Sequence, residues 1–201
     1  FIRALSDPSA VPRELRHLDR PLVLFGGAAY DWFDTELLLE LSAMRPEWVF
    51  ALVGPRGPSL RRTRLPENVM ALGRKSYEVF PRYVARADVT FIPIREGETY
   101  ESCDPIVVYE YLLCGKAVVA TPFPSAVEHG PLVRTADSAQ EFAEAIESAL
   151  AEAADTDAVR RRVEYGFANT WEDRAESALE LVSKALAARE RTQETDAAHE
   201  A

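Results

Sequence analysis

One carboxylate in the chain stands where a charged group is costly. Glu110 lies in a predicted helix, and its neighbours three and four positions away are all apolar: Ile106, Val107, Leu113 and Cys114. Burying a carboxylate without a partner costs several kcal/mol, so Glu110 needs one. Either a Lys or Arg from elsewhere in the chain forms an ion pair with it, or the hydroxyl groups of a ligand donate to it.

The start of the same helix suits an anion. Asp104 can cap the helix and Pro105 fits its first turn. The free N–H groups and partial positive charge at this end then form a ready phosphate site. Gly26 and Gly27 follow the first predicted strand, and their missing side chains would let the backbone approach a phosphate closely. A simple tight turn explains these two glycines equally well.

Several other chemistries are disfavoured by what the sequence lacks. The stretch 25–30 has no third spaced glycine, which disfavours NAD and FAD, and the chain has no Gly-Lys-Ser/Thr phosphate loop. Its three histidines and two cysteines are not at ligand spacing, so we expect no metal. Unpaired cysteines suit the cytoplasm, which is the expected location. The longest apolar runs fall far short of the roughly 20 residues that cross a bilayer.

The acidity of the chain is concentrated near its end. The net charge is -10, but residues 137–201 carry 7 Lys and Arg against 16 Asp and Glu, whereas residues 1–136 carry 16 against 17. We therefore expect no nucleic-acid partner. The nearly neutral body remains compatible with an anionic ligand.

Apolar strand segments alternate with helical segments along the chain. We predict strands at 21–25, 48–53, 68–72, 88–94, 117–121 and 132–135, and helices at 35–44, 76–86, 105–114, 138–150, 156–166 and 171–190. Strands that are apolar throughout imply an α/β, Rossmann-like parallel sheet of about six strands with helices on both faces. Ligands bind such a sheet beyond the carboxyl ends of its strands, where the strand order reverses.

The chain of 201 residues fits one domain, at 21–190. Residues 1–20 show no sustained period and are predicted to be a surface linker. Residues 191–201 are predicted to form a disordered acidic tail. Because the sequence begins at Phe1 without a Met or a leader, we expect it to continue upstream.

The segment Tyr-Glu-Tyr-Leu-Leu-Cys-Gly-Lys-Ala-Val-Val-Ala-Thr at 109–121 resembles the glycine-closed helix and strand of family 4 glycosyltransferases, which have the two-domain GT-B fold. The resemblance covers about residues 20–185, including 65–73, 77–88, 91–94, 138–150 and 171–174. The stretch 26–34 resembles bacterial enzymes that build cell-surface polysaccharides. The resemblance implies the carboxyl-terminal half, which binds a UDP- or GDP-linked sugar donor. An amino-terminal Rossmann-like domain of the same protein would bind a glycan, lipid or polysaccharide acceptor.

The resemblance also implies roles for residues. Glu110 would hold the ribose hydroxyls, and Gly73 and Arg74 would line the nucleobase by main chain. The diphosphate would be held by the amides of Gly26 and Gly27 and by the helix start around Asp104, Pro105, Ile106 and Val107. It implies retention of anomeric configuration without a metal, and no catalytic residue is assigned.

Two departures from the family pattern affect the site. Ser102 stands where an acidic residue usually lies near the transferred sugar, with Glu98 and Glu101 as replacements. Val107 replaces a Lys that would face the phosphates, so Arg95 or Arg56 would have to supply the charge.

Two other functions fit the same architecture. One is a sugar-nucleotide epimerase, although the few histidines argue against it. The other is a degenerate module that binds a nucleotide or a partner without catalysis. For the glycosyltransferase, the inner face of the membrane is an alternative location, reached through peripheral contact of the other half.

Overall fold

The computed structural model describes residues 11–97 and 100–199. Residues 1–10 of the predicted linker, the candidate Glu98 and the last two residues lie outside these ranges. Six strands form one parallel sheet in the order β3-β2-β1-β4-β5-β6. They are β1 (Leu22–Gly26), β2 (Val49–Val53), β3 (Val69–Gly73), β4 (Val89–Ile92), β5 (Ala117–Ala120) and β6 (Val133–Thr135). The predicted α/β fold and strand number are confirmed.

Eight α-helices accompany the sheet in the described part of the chain. They are α1 (Thr35–Met44), α2 (Pro58–Arg62), α3 (Phe80–Arg86), α4 (Ile106–Leu113), α5 (Pro124–Glu128), α6 (Ala139–Ala151), α7 (Thr156–Phe167) and α8 (Trp171–His199). The chain divides into a first compact unit that ends at Gly166 and a second that begins at Phe167. The sheet lies wholly in the first unit. Over residues 11–97 and 100–199, no helix is both long and apolar enough to cross a membrane.

The four central strands β2, β1, β4 and β5 are buried at every position, which explains why they are almost wholly apolar, whereas the edge strands β3 and β6 are partly exposed. In β1, Val23 and Phe25 pack into one core cluster and Leu22 and Leu24 pack into the other, as successive side chains of a strand point to opposite faces. On one face α1 packs against α6. The core residues of α3, α4 and α5 belong to the cluster on the opposite face.

The leading segment is not simply a surface linker. A short 3-10 helix, Arg13–Leu15, places Leu15 in the core with no exposed surface. The prediction of a surface linker is therefore wrong for this part of 1–20. Val11 and Leu18 pack against the same core cluster, but three apolar residues over eight positions are too few to show a sustained period.

One helix boundary differs from prediction, and two short helices were not predicted. The predicted helix at 76–86 begins only at Phe80, because a turn comes first, in which the amides of Val79 and Phe80 donate to the carbonyl of Ser76. The short helices α2 and α5 were not predicted, since five residues are too few to show a period.

The predicted disorder of the acidic tail is contradicted as far as His199, because α8 continues to that residue. The segment 191–199 contains no Gly or Pro and is rich in good helix formers such as Ala, Glu, Gln and Arg. Local helix propensity therefore outweighs the low hydrophobicity on which the prediction was based.

Candidate functional site

The carboxyl ends of β1 and β4 lie side by side at the point where the strand order reverses, and a cavity of about 280 Å³ opens there. The loop after β1 forms one wall and the start of α4 forms the other. The lining residues are Phe25, Gly26, Gly27, Trp32, Ile92, Ile94, Cys103, Pro105, Ile106 and Val107. The structure thus brings together five predicted site residues that are far apart in sequence. It also adds Trp32 and Cys103, which were not predicted.

Glu110 lies one turn into α4 and is only 8% exposed. The Tyr77 side chain comes near its carboxylate. Within the described ranges no Lys or Arg forms an ion pair with Glu110, so the ion-pair alternative finds no partner there. Burial raises the pKa of Glu110 above its ordinary value, and the nearby Tyr77 hydroxyl only partly opposes this.

The start of α4 is not capped by a side chain. The N-cap residue is Pro105, which provides no side-chain hydrogen bond. Capping by Asp104 was therefore a wrong prediction, and its carboxylate instead accepts from the Tyr109 hydroxyl, with an O–O distance of 3.1 Å. The first amides of a helix have no acceptor within the helix. The amides of Ile106 and Val107 therefore have no acceptor within the helix, and they lie at the helix end beside the cavity.

The amides of Gly26 and Gly27 serve the protein itself. Gly26 N–H donates to the Tyr111 hydroxyl at 2.6 Å, and Gly27 N–H donates to the carbonyl of Val53 at 2.9 Å. Both donors are thus occupied within the protein, and the role of these amides at a diphosphate stays a prediction. A Cβ on Gly26 would lie 2.2 Å from the Phe80 ring, so close packing explains the missing side chain.

The predicted nucleobase residues lie at the end of β3, two strands from β1. Gly73 has a φ of 70°, and no atom lies within 4 Å of the place where its Cβ would stand. Its carbonyl accepts from the amide of Gly54 at 3.0 Å. Arg74 is exposed. These two residues border open space rather than the cavity.

A three-residue cluster holds the loop after β3 in place. Lys75 Nζ lies 2.8 Å from Oε1 of Glu14, and the Tyr83 hydroxyl donates to the same oxygen at 3.0 Å. The hydrogen bond from Lys75 is the main reason that the pKa of Glu14 falls to about 2. This cluster ties the loop that carries Arg74 and Tyr77 to the 3-10 helix of the leading segment.

The remaining predicted residues surround the cavity without lining it. Arg95, Ser102 and Glu101 are exposed, and the backbone N–H of Arg95 donates to the carbonyl of Trp32 at 2.8 Å. Arg56 pairs through its backbone with Ala29 in the loop after β1. Both arginines thus flank that loop, but no cation lines the cavity in the described part of the chain.

Two polar contacts, those made by Tyr77 and Tyr111, were not predicted from the sequence. Tyr111 reaches Gly26 across 85 positions of sequence, and Tyr77 reaches Glu110 from another element. No local pattern indicates such pairs. The only available signal in the sequence was Tyr111, which directly follows Glu110 in the predicted helix.

Fold and site together define a Rossmann-like α/β domain with a cavity at the switch point of its sheet. The family model for glycosyl transferases group 1 matches residues 20–152, and the chain belongs to this family. The predicted family resemblance is confirmed.

Individual relatives agree with this assignment. The chain is 28% identical over 106 residues to TuaH of Bacillus subtilis (strain 168), a glycosyltransferase assigned to teichuronic acid biosynthesis; the match covers 50% of this chain and 26% of TuaH. Anabaena Alr3699/HepE, solved in complex with UDP, superposes with a TM-score of 0.69 at 20% identity, over 90% of this chain and 55% of HepE. A glycosyltransferase of Rickettsia africae ESF-5 gives a TM-score of 0.66 at 17% identity, over 90% and 54%. The chain therefore spans about half the length of these solved structures and about a quarter of TuaH.

Proposed function

We propose that this chain binds the nucleotide of a UDP- or GDP-linked sugar and is the donor-binding half of a glycosyltransferase. Glu110 carries the proposal, because it is a buried carboxylate on an apolar helix face with no cation paired to it in the described ranges. Proteins keep such costly groups where a ligand uses them. A carboxylate has two acceptor oxygens, which suit the two adjacent hydroxyls of a ribose. Membership of the family and the fold shared with Anabaena Alr3699/HepE, which was solved with UDP, support this ligand class.

The diphosphate would lie at the start of α4. The helix end offers the amides of Ile106 and Val107 and a partial positive charge. An α-helix rises about 1.5 Å per residue, so Glu110 lies roughly 6 Å along the axis from Ile106. One nucleotide can span that separation, with its ribose at Glu110 and its phosphates at the helix end. The wall formed by Gly26 and Gly27 would then bound the site by shape rather than by hydrogen bonds.

We propose that a second, amino-terminal domain supplies the acceptor site. The chain matches only about half of each solved relative, which leaves room for such a domain in the whole protein. Closure of two domains around both substrates excludes water and fixes the reacting atoms, so this chain alone is expected to transfer sugar very slowly. Retention of configuration, a metal-free reaction without a cofactor and a cytoplasmic location stay predictions.

Titration calorimetry with UDP, GDP and UMP tests the proposal. We expect micromolar to millimolar dissociation constants for one diphosphate, and weaker binding of the monophosphate, which has fewer oxygens for the helix end. Glu110→Gln keeps the shape but weakens the charged hydrogen bonds, so the affinity should fall about tenfold. Glu40→Gln, an exposed position on α1, is the matched control and should bind as the unchanged chain does.

Absence of heat and of any shift in melting temperature at millimolar UDP and GDP would contradict the proposal. So would unchanged affinity in Glu110→Gln. The enzymatic part is tested by comparing this chain with the full-length protein for sugar-nucleotide transfer or hydrolysis, with products detected by mass. Binding without turnover in the full-length protein would select the non-catalytic module instead.

A further inference from the structure

The loop between β3 and α3, residues 74–79, borders the site on the side of Glu110. Because β3 and β1 both run parallel to β2, this loop leaves the sheet at the same edge as the cavity. The Tyr77 side chain comes near the Glu110 carboxylate. Directly after the loop, the Phe80 ring lies 2.2 Å from where a Cβ on Gly26 would stand, and Gly26 lines the cavity. The position of the loop therefore affects the space beside Glu110.

Lys75 ties this loop to the leading segment of the chain. Its Nζ lies 2.8 Å from Oε1 of Glu14 and 5.1 Å from the centre of the Tyr83 ring. The Tyr83 hydroxyl donates to the same Glu14 oxygen at 3.0 Å, so two donors share one acceptor. The hydrogen bond between Lys75 and Glu14 lowers the pKa of Glu14 to about 2 and raises the pKa of Lys75. Both groups are therefore charged near neutral pH, and the contact is a charge-assisted hydrogen bond.

The leading segment is a firm support for this contact. Leu15, which follows Glu14, lies in the core with no exposed surface. Arg86 on α3 donates from Nη2 to the carbonyl of Leu18 at 2.7 Å. Neither of these contacts involves Lys75. Loss of the Lys75 ammonium group should therefore loosen the loop and leave the leading segment in place.

We propose that Lys75 is a positioning residue: through Glu14 it holds the loop at 74–79 in place beside the nucleoside part of a bound nucleoside diphosphate. This inference rests on the proposed function, which places the ribose at Glu110 and the phosphates at the start of α4. These two places are about one helical turn apart, and the loop comes near the first of them. Loosening of the loop should therefore weaken binding of the nucleoside and leave binding of the phosphates unchanged.

Titrations with UDP and with inorganic pyrophosphate separate the two parts of the ligand. Lys75→Met keeps an unbranched side chain and removes the ammonium group, so the dissociation constant for UDP should rise about fivefold. The dissociation constant for pyrophosphate should stay within about twofold of its value in the unchanged chain. The matched control is Lys184→Met, which removes another Lys–Glu ion pair, with Glu180 on α8. Both constants should be unchanged in this control.

A second variant tests whether Lys75 acts through Glu14. Glu14→Gln keeps the shape of the side chain and removes its charge, so it should weaken UDP binding in the same sense as Lys75→Met. The two residues form one contact, so the double variant should bind UDP about as Lys75→Met does. Losses that add in the double variant would mean that the two residues act separately, and the inference would be wrong.

The contrast between the two ligands decides the outcome. If Lys75→Met weakens UDP and pyrophosphate equally, Lys75 supports the whole domain and the inference is overturned. Unchanged UDP binding in Lys75→Met, with Glu110→Gln still weakened, overturns the inference and leaves the proposed function standing. If pyrophosphate does not bind the unchanged chain, the helix end does not hold the phosphates by itself, and the inference fails with that assignment. Absence of UDP binding by the unchanged chain contradicts the proposed function itself.

Discussion

The two walls of the cavity differ in whether their polar groups are already hydrogen-bonded within the protein. On the wall after β1, the amides of Gly26 and Gly27 donate to protein acceptors, as does the amide of Gly54 in the adjoining loop. On the wall formed by α4, the helix end has no side-chain cap and Glu110 has no cation paired to it in the described part of the chain. One wall has its polar groups satisfied internally, while the other keeps groups that a ligand can use.

A hydrogen-bond donor is available to a ligand only if it does not already donate to an acceptor within the folded protein. Glycines after a strand and the start of a helix both indicate an anion site when they are read from sequence. In the folded chain the glycines permit close packing: a Cβ on Gly26 would meet Phe80, and one on Gly54 would meet the backbone of Gly27. Substitutions at the glycines after β1 and β2 should therefore change the free energy of unfolding. Substitutions on the wall formed by α4 should change the affinity for nucleotide.

The largest expected effect is that of Gly54→Ala. Its Cβ would lie 1.9 Å from the carbonyl oxygen of Gly27, and Gly54 has a φ of 150°, which side-chain-bearing residues rarely adopt. Backbone cannot yield as a flexible side chain can, so we expect a loss of about 4 kcal/mol or more, or failure to fold. Urea unfolding followed by circular dichroism measures it.

The control for this substitution is Gly97→Ala. No atom lies within 4 Å of its Cβ position, and its φ is outside the left-handed region. The free energy of unfolding should change by less than about 0.5 kcal/mol. Should Gly54→Ala prove as stable as this control, the close contact of Gly54 with the Gly27 backbone would not be needed for the fold.

A second prediction adds charge to the α4 wall. Val107→Lys places an ammonium group beside the cavity that now lacks a cation in the described ranges. A charge-assisted hydrogen bond to a phosphate should raise the UDP affinity about tenfold, and this gain should shrink with added salt. Calorimetry with UDP at two salt concentrations measures both effects.

The same charge change at Val127→Lys, on the exposed surface of α5, should leave UDP affinity unchanged and so serves as control. An equal gain in both variants would point to general electrostatic attraction. No gain at Val107 would mean that the phosphates do not pass the first turn of α4.

The fold was largely predictable because its signals are local. The central strands, buried on both faces, are apolar at nearly every position, and the caps Asp34 and Ser138 stand directly before the helices they begin. The errors fall where burial or order does not follow local pattern. Leu15 is buried amid charged residues, and α8 continues to His199 without an apolar period.

The site was predictable only in part, for the same reason. Glu110 was found because its apolar neighbours lie three and four positions away on one helix. The hydrogen bond from the Gly26 amide was not predicted, because its acceptor, the Tyr111 hydroxyl, lies 85 positions further along the chain. Tyr77 and Glu110 likewise lie on two elements that only the folded sheet brings together. Contacts of this kind decide which donors and acceptors are still available, and no spacing rule contains them.

The smallest predicted effect is on stability, at Glu14 and Glu110, two carboxylates whose pKa values shift in opposite directions. The hydrogen bond from Lys75 lowers the pKa of Glu14 to about 2. Its ionised form therefore stabilises the fold above the ordinary carboxyl pKa, and this contribution is lost as the pH falls toward 2. Burial raises the pKa of Glu110 instead. Its contribution to stability is complete below the ordinary carboxyl pKa and is lost as the pH rises through the raised value.

Glu110→Gln should accordingly be more stable than the unchanged chain at pH 7, even though it binds nucleotide less well. The amide is neutral, so the variant avoids burying a charge, and we expect a gain of roughly 1 kcal/mol. As the pH falls toward the ordinary carboxyl value of 4.5, Glu110 becomes protonated and the difference should disappear. Urea unfolding of both proteins at a series of pH values measures this difference, and all other titrating groups cancel in the comparison. Glu14→Gln should be less stable than the unchanged chain at pH 7. A Glu110→Gln variant that is also less stable at pH 7 would show that the carboxylate contributes to the fold, and the reason for assigning it to a ligand would be lost.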